Sequence, residues 1–279
     1  MAPRPPDGIR DFPGRTGLRV SPFPALSGLR IGCVKYLNSK PLIAAYPGSV
    51  IFDHPSRLAA ALHAGEMDAA LVPVFEAFSG EAYVAVDGVA IASHGPVYSV
   101  FLAYEGELKN VHRIALDPAS LTSAHLVQVL LREFYGVKPI CGREGDLQGK
   151  PDARLLIGNQ AIEYRRSAPA AVKYLDLGEE WTRQTGLPFV FAVWLMRAEL
   201  EKDTAIAQEF RRLKEQGLKM IAEIARGEGE MGEDLALRYL TEHIRFDLGA
   251  AEKQGIARFQ ELLIQHGLIG CGQRPLRFV

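Results

Sequence analysis

The sequence predicts an α/β protein made of two small α/β units followed by helices, and three observations carry that class. From residue 29 onward, short apolar runs alternate with helix-like stretches, the β-α-β-α order that gives a largely parallel sheet. A second, smaller alternation of the same kind fills residues 105–188. Beyond residue 204 the pattern is helical alone, with Ile206, Phe210, Leu213, Met220 and Ile224 recurring near the helical period.

Residues 29–34 are mostly apolar, the signature of a strand buried on both faces. Tyr36-Leu37-Asn38-Ser39 breaks that run. Asn38 or Ser39 suits a helix N-cap, and Pro41 suits the first turn. Ligands of open α/β sheets sit at such strand ends, where helix N-termini favour anions. An ordinary βα turn with a capping Asn accounts for the same spacing. Residues 49–53 then read as a short strand. Residues 55–64 read as a helix, with Pro55 and Ser56 at its start and Gly65 past its end. Residues 68–72 are a strand and 73–78 are helical. Residues 83–92 and 97–104 are strands about the polar turn Ser93-His94-Gly95-Pro96.

In the second unit, residues 113–116 are a strand. Ser120 or Thr122 caps a long helix that ends near Tyr135 and is closed by Gly136. Residues 137–141 and 154–157 are strands, the latter leading into a helix at Gly158-Asn159-Gln160. A strand at 172–175 and a short helix at 178–185 follow, and 189–196 is a continuous apolar run that reads as a central strand. Gly217 interrupts the apolar stripe of the next helix and marks close packing. Leu235, Leu240 and Ile244, then Ile256, Phe259 and Leu263, give two further helices, the last closed by Gly267.

Composition excludes several classes. The 279 residues are 48% hydrophobic and 23% charged, ordinary for a soluble globular chain. A formal net charge of -1 without a long basic block argues against nucleic acid or an anionic membrane as partner. The longest apolar run, 189–196, is too short to span a bilayer. Cys33, Cys141 and Cys271 form no CxxC pair and no metal-ligand spacing, so they read as reduced thiols in a cytoplasmic protein. Residues 1–27 are rich in Pro, Gly and Arg and lack an apolar segment, so a poorly ordered extension rather than a secretion signal is expected.

Separated stretches carry a resemblance. They are Tyr36-Leu37-Asn38-Ser39-Lys40-Pro41-Leu42, Asp68-Ala69-Ala70-Leu71-Val72-Pro73 and Ser93-His94-Gly95-Pro96-Val97-Tyr98-Ser99-Val100. Further on come Ile157-Gly158-Asn159-Gln160-Ala161, Asp176-Leu177-Gly178-Glu179-Glu180-Trp181 and Thr185-Gly186-Leu187-Pro188-Phe189 with the run after it. The last begins at Tyr239-Leu240-Thr241-Glu242-His243-Ile244. In number and order they resemble chorismate dehydratase of the futalosine route to menaquinone, over residues 29–269. The resemblance implies a fold like type II periplasmic binding proteins, two α/β lobes closing on a ligand cleft. Lobe I would be 28–104 plus 189–279 with the C-terminal helices, and lobe II 105–188, with a hinge near Tyr104 and Pro188. The family often has an acidic residue where Asn159 stands, and Lys35 is unusual.

The reaction implied by the resemblance removes water from chorismate to give 3-[(1-carboxyvinyl)oxy]benzoate. A proton leaves ring C3 and hydroxide leaves ring C4. No redox cofactor, metal or phosphate loop is called for, and chorismate is the one expected partner, the oligomeric state staying open. The resemblance puts Asn38 and Ser99 in the catalytic role. It puts Tyr36, Ser39, Ser93, His94, Gly95, Val97, Thr122, Ser123 and Asn159 against substrate, with Ser99 ranked above Ser93. Most are neutral, and an amide carbonyl is a very poor proton acceptor. Two bases remain open. One is His94, which also reads as a turn residue facing water. The other, favoured because the remaining residues suit holding carboxylates, is the enolpyruvyl carboxylate of the substrate. Trp181 and Trp194 read as core or hinge packing. A non-catalytic solute-binding protein, a 1,4-dihydroxy-6-naphthoate synthase and a transcriptional effector domain are the rivals. The Tyr36-Leu37-Asn38 turn favours the dehydratase.

Overall fold

A computed structural model describes residues 21–78, 83–117, 121–229, 231–271 and 275–279. The chain opens with β1 (Ile31–Cys33), β2 (Val50–Phe52), α1 (Pro55–His63) and β3 (Ala69–Pro73). β1 pairs in parallel with both β2 and β3, with Ile31 opposite Val50 on one side and Ala69 on the other. β1 and the apolar run of β3 are buried, as expected for strands covered on both faces. α1 starts on Pro55, whose missing N–H is no loss in a first turn.

β4 (Tyr83–Ser93) leads to β5 (Val100–Tyr104), β6 (Arg113–Ala115), α2 (Leu121–Tyr135), β7 (Ile140–Gly142), β8 (Ala153–Ile157), α3 (Gly158–Ser167), β9 (Lys173–Asp176) and α4 (Leu177–Thr185). β10 (Phe189–Arg197) follows, then α5 (Thr204–Leu218), α6 (Ile221–Arg226), α7 (Glu233–Arg238), α8 (Ala250–Gln265) and β11 (Arg277–Phe278). The strands form two sheets, ordered β11-β4-β10-β3-β1-β2 and β7-β6-β8-β5-β9. β10 lies between β4 and β3 and runs antiparallel to both. In the second sheet β6 is parallel to β7 and β8, and β5 is antiparallel to β8 and β9. The result is two α/β lobes linked by two crossings.

Trp194 is fully buried against Phe210, with ring centroids 4.5 Å apart, which fixes α5 on the first sheet. Trp181 of α4 packs on Phe189 and Phe259, and its Nε1 donates to the Pro188 carbonyl at 3.2 Å. Trp181 therefore ties the second lobe to β10 and α8 beside one crossing. Among the described residues, no helix is long and apolar enough to cross a membrane.

Several expectations need correction. Residues 97–104 are not one strand of the first unit. β5 begins at Val100 and belongs to the second sheet, so the chain crosses between Ser93 and Val100, and Tyr104 lies at the far end of β5 rather than at a hinge. The expected extension starts to pack before residue 27. Phe23 and Leu26 are fully buried, Phe23 lies edge-on to Tyr46, and the Leu26 amide donates to the buried Glu209 carboxylate at 2.9 Å. Burial of the Phe23 and Leu26 side chains anchors this end of the segment. Residues 1–20 lie outside the described residues, as does Ser120.

Candidate active site

The turn after β1 is a 3-10 helix, Leu37–Leu42, and neither Asn38 nor Ser39 caps it. Pro41 inside it has no N–H to give a longer-range bond, which favours the tighter winding. The Ser39 hydroxyl reaches back to the Val34 and Tyr36 carbonyls, each at 2.7 Å, and so stitches the strand end to the helix. Asn38 is thereby freed to project beside Tyr36 into a cleft between the lobes. The first lobe adds Leu71, Pro73, Ile91 and Phe191 to that cleft. The second lobe contributes Val100, Leu121, Thr122, Ser123, Ile157 and Gly158, and Val97 of the crossing closes it. The cleft has a cavity volume of about 80 Å³, well below the several hundred Å³ of a typical small-molecule site, so the lobes stand close together around it.

Both lobes meet at this cleft through specific contacts. Gly158 opens α3 with φ +65°, and a Cβ there would stand 2.9 Å from the Tyr36 ring. The Thr122 hydroxyl accepts from the Phe75 amide at 3.2 Å, and the Phe75 ring stacks on His125 with centroids 3.7 Å apart. Asn159 is exposed, and its Oδ1 accepts from the Leu37 amide at 3.4 Å, so it bridges the lobes at the rim.

The first turns of α2 and α3 form the second-lobe wall. First-turn amides lack partners within their helix and sit at its positive end, so the start of α2 suits a carboxylate, whereas at α3 the Gly158 amide already donates to the Ser99 carbonyl at 2.8 Å. Among the described lining residues none carries a formal charge. Tyr36 remains a neutral phenol, since burial, and secondarily the nearby Asp117 carboxylate, push its pKa up.

Asn38 Nδ2 donates to the Tyr239 hydroxyl at 3.1 Å, while Asn38 Oδ1 is buried without a partner. Ser99 is fully buried, does not line the cleft, and shares a hydrogen bond of 2.8 Å with the same Tyr239 hydroxyl. Burial and the loss of hydration push the Tyr239 phenol far above its ordinary pKa, so it keeps its proton.

A γ-turn places Ser99. Its amide donates to the Val97 carbonyl at 2.7 Å around Tyr98, which has φ +66°. That backbone is strained for a residue other than glycine, by about 1–3 kcal/mol, and persists only when its surroundings hold it. Asp176 does the holding. Its carboxylate accepts from the Val97 amide at 3.0 Å and the Tyr98 amide at 2.8 Å, while capping α4 through the amides of Gly178 and Glu179. Arg165 backs Asp176 at 3.4 Å and lies over the Tyr98 ring.

Of the sequence-derived candidates, Tyr36, Asn38, Val97, Thr122 and Ser123 meet in the cleft. Ser39 is used up by the turn. Ser93 is buried at the start of α4, where a Cβ on Gly178 would stand 2.3 Å from its hydroxyl. The Gly95 amide donates to the Thr182 hydroxyl at 2.9 Å, and His94 is exposed on the turn, outside the cleft. Lys35 is exposed in a groove on the far side of the turn. Tyr239, Asp176 and Arg165 were not anticipated. Asp176 was legible as a helix cap, being an Asp ahead of Gly178-Glu179-Glu180. Tyr239 gave no signal beyond an aromatic in an apolar helical stripe.

Comparison with known proteins bears on this cleft. The model of a family described as menaquinone biosynthesis matches residues 29–265. The chain belongs to that family. A chorismate dehydratase of Thermus thermophilus is 31% identical over 255 residues, covering 84% of this chain and 94% of the relative. A second, from Campylobacter jejuni, is 27% identical over 230 residues, 80% of this chain and 88% of the relative. Solved structures share the fold at low identity. An alkanesulfonate-binding protein of Xanthomonas axonopodis superposes with TM-score 0.63 at 14% identity, covering 90% of this chain and 98% of that one. A protein of Archaeoglobus fulgidus gives 0.59 at 18% identity, covering 86% and 98%. This member of the menaquinone-biosynthesis family thus has a periplasmic-binding-protein fold.

Proposed function

We propose that this chain is a lyase that dehydrates chorismate to 3-[(1-carboxyvinyl)oxy]benzoate, a step of the futalosine route to menaquinone. The observation that carries the proposal is the match to chorismate dehydratases over most of both chains. The cleft supports it chemically. The start of α2 and the neutral hydroxyls suit a carboxylate, and Leu71, Ile91 and Phe191 suit a six-membered carbon ring.

On this proposal the enolpyruvyl carboxylate takes the C3 proton. The C–H electron pair becomes the new C3–C4 π bond, and the C4 hydroxyl leaves as water once protonated. Asn38 positions that hydroxyl, and Ser99 and Tyr239 stand behind Asn38. Thr122 and Ser123, at the start of α2, hold a carboxylate. His94 is set aside as base because it lies exposed outside the cleft. Aromatisation of the ring drives the step, so the protein's task is to position and desolvate.

The test is to incubate purified protein with chorismate alone and identify the product by mass spectrometry and ultraviolet absorbance. Conversion to the enolpyruvyl benzoate is expected. Return of unchanged chorismate would leave a binding protein and overturn the proposal.

A further inference from the structure

Behind the cleft wall the Tyr239 ring is enclosed almost completely. A phenylalanine would fill such a site as well, so the buried hydroxyl is accounted for by its partners. There are two among the described residues, Asn38 Nδ2 at 3.1 Å and Ser99 Oγ at 2.8 Å. They join three distant parts of the chain: the turn after β1, the crossing before β5, and a π-helical turn at Tyr239–His243. That turn is closed by the Ile244 amide donating to the Tyr239 carbonyl at 3.2 Å. Single π-turns inside helices often mark functional positions, because the extra residue re-aims a side chain.

A phenol has one proton and accepts as well as donates. The Asn38 amide N–H donates to it, and it shares its second hydrogen bond with the Ser99 hydroxyl, in which either oxygen can be the donor. With Nδ2 engaged in this way, the atom that Asn38 keeps free is Oδ1, which is buried without a partner although Asn38 lines the cleft. Buried polar atoms are normally paired, and an unpaired one points to a missing ligand group. The group that satisfies a carbonyl is a hydroxyl or N–H, not a carboxylate.

We propose that Tyr239 is a positioning residue. By holding one of the two amide N–H groups it fixes the plane of the Asn38 amide and so turns the carbonyl toward a hydroxyl of the substrate, and by binding Ser99 it ties that setting to the lobe crossing. The proposal rests on the dehydratase activity proposed above and assigns the Asn38 contact to the ring hydroxyl that departs.

The test compares wild type, Tyr239→Phe, Asn38→Ala and the double variant by turnover, KM and thermal melting. Tyr239→Phe keeps the ring and loses only the hydroxyl. Its kcat should fall by about 10- to 100-fold, the scale of leaving one buried hydrogen-bonding group without its partner, with KM nearly unchanged. The double variant should be no slower than Asn38→Ala, because Tyr239 acts through Asn38. Wild-type kcat in Tyr239→Phe, or a full extra loss on the Asn38→Ala background, would overturn the proposal. Should Tyr239→Phe not fold, Ser99→Ala breaks the same bridge from its other end. The same pattern of kcat loss, absorbed by Asn38→Ala, is then required. An inert wild type would overturn the dehydratase activity and this proposal with it. An active wild type with an unimpaired Tyr239→Phe overturns this proposal alone.

Discussion

Gly217→Ala offers a strong test of how the Asn38 turn is held. Gly217 is buried on α5 directly against the turn, and a Cβ there would stand 1.7 Å from the Pro41 carbonyl oxygen. Non-bonded carbon–oxygen contacts do not fall below roughly 3 Å, so helix and turn must part by more than about 1 Å. The obstacle is backbone on both sides, and no rotamer change relieves it. Overpacking of this kind costs about 3 kcal/mol at the upper end of its usual range. Replacing glycine within a helix returns about 1 kcal/mol. The net loss of about 2 kcal/mol lowers the melting temperature by about 4–8 °C for a chain of this size. Turnover should fall further than stability, since Asn38 rides on the displaced turn and a shift of about 1 Å at a reacting contact costs about 100-fold. Differential scanning fluorimetry and chorismate turnover on the same preparations give both numbers. Gly145→Ala, with no atom within 4 Å of its Cβ, is the control that should change neither. If Gly217→Ala melted at or above wild type with full turnover, the Gly217–Pro41 contact would not be what positions Asn38.

Asn38→Ala should fold normally and lose about 10² to 10³ in turnover. Asn38→Asp should also be poor, since it sets a negative charge beside a dianion, and faster turnover in Asn38→Asp would show that the site wants a protein base. His125 gives a pH signature, because burial lowers its pKa against a smaller opposing effect of the Leu121 carbonyl. The folded state then binds fewer protons than the unfolded one. Its contribution is complete above the unfolded pKa of about 6.5 and fades as pH falls through that value towards the lower folded one. Wild type should therefore lose more melting temperature than His125→Gln between about pH 7.5 and 5.5, and equal slopes would refute it. Gly255→Ala would place a Cβ 2.2 Å from the Pro188 carbonyl beside the second crossing. A melting temperature equal to wild type would show that α8 does not fix that crossing.

The local alternation of strands and helices was legible because buried parallel strands and amphipathic helices impose different periods on the sequence. Pro55, Gly136 and Gly267 marked helix ends correctly for the same local reason. What the alternation does not encode is which sheet a strand joins. Residues 97–104 look like one apolar strand, yet Tyr98 takes φ +66° and splits the run into a γ-turn and β5. No property of the Val97-Tyr98-Ser99 side chains announces that. It is imposed by Asp176, 78 residues away, accepting from the Tyr98 amide. The site divides in the same way. Asn38, Thr122 and Ser123 follow strand ends or helix starts and were legible by position, whereas Ser39 and Ser93, equally polar and nearby, face the wrong way. The spacing of a turn cannot tell which of two adjacent residues faces the ligand when the turn winds as 3-10 rather than α.

The uncharged wall of the cleft fits the proposed chemistry better than a cationic one would. An arginine paired with the enolpyruvyl carboxylate would bind substrate tightly but would depress the carboxylate pKa, and with it the basicity needed to take the C3 proton. On the proposed reading, the neutral hydroxyls of Thr122 and Ser123 would hold a carboxylate by hydrogen bonds that depress its pKa less than an ion pair does. The apolar side chains around them act in the same direction, since loss of hydration disfavours the charged form and raises its proton affinity. A substrate that supplies its own base therefore needs a site that binds the anion without stabilising it too well. The described residues that line this cleft carry no formal charge, which agrees with that requirement. An arginine introduced at Ser123, the start of α2, should lower KM and lower kcat together, because it would stabilise the ground-state carboxylate at the expense of the proton transfer. A Ser123→Arg variant with raised kcat would show instead that charge neutralisation limits the reaction, and the substrate-assisted scheme would fail.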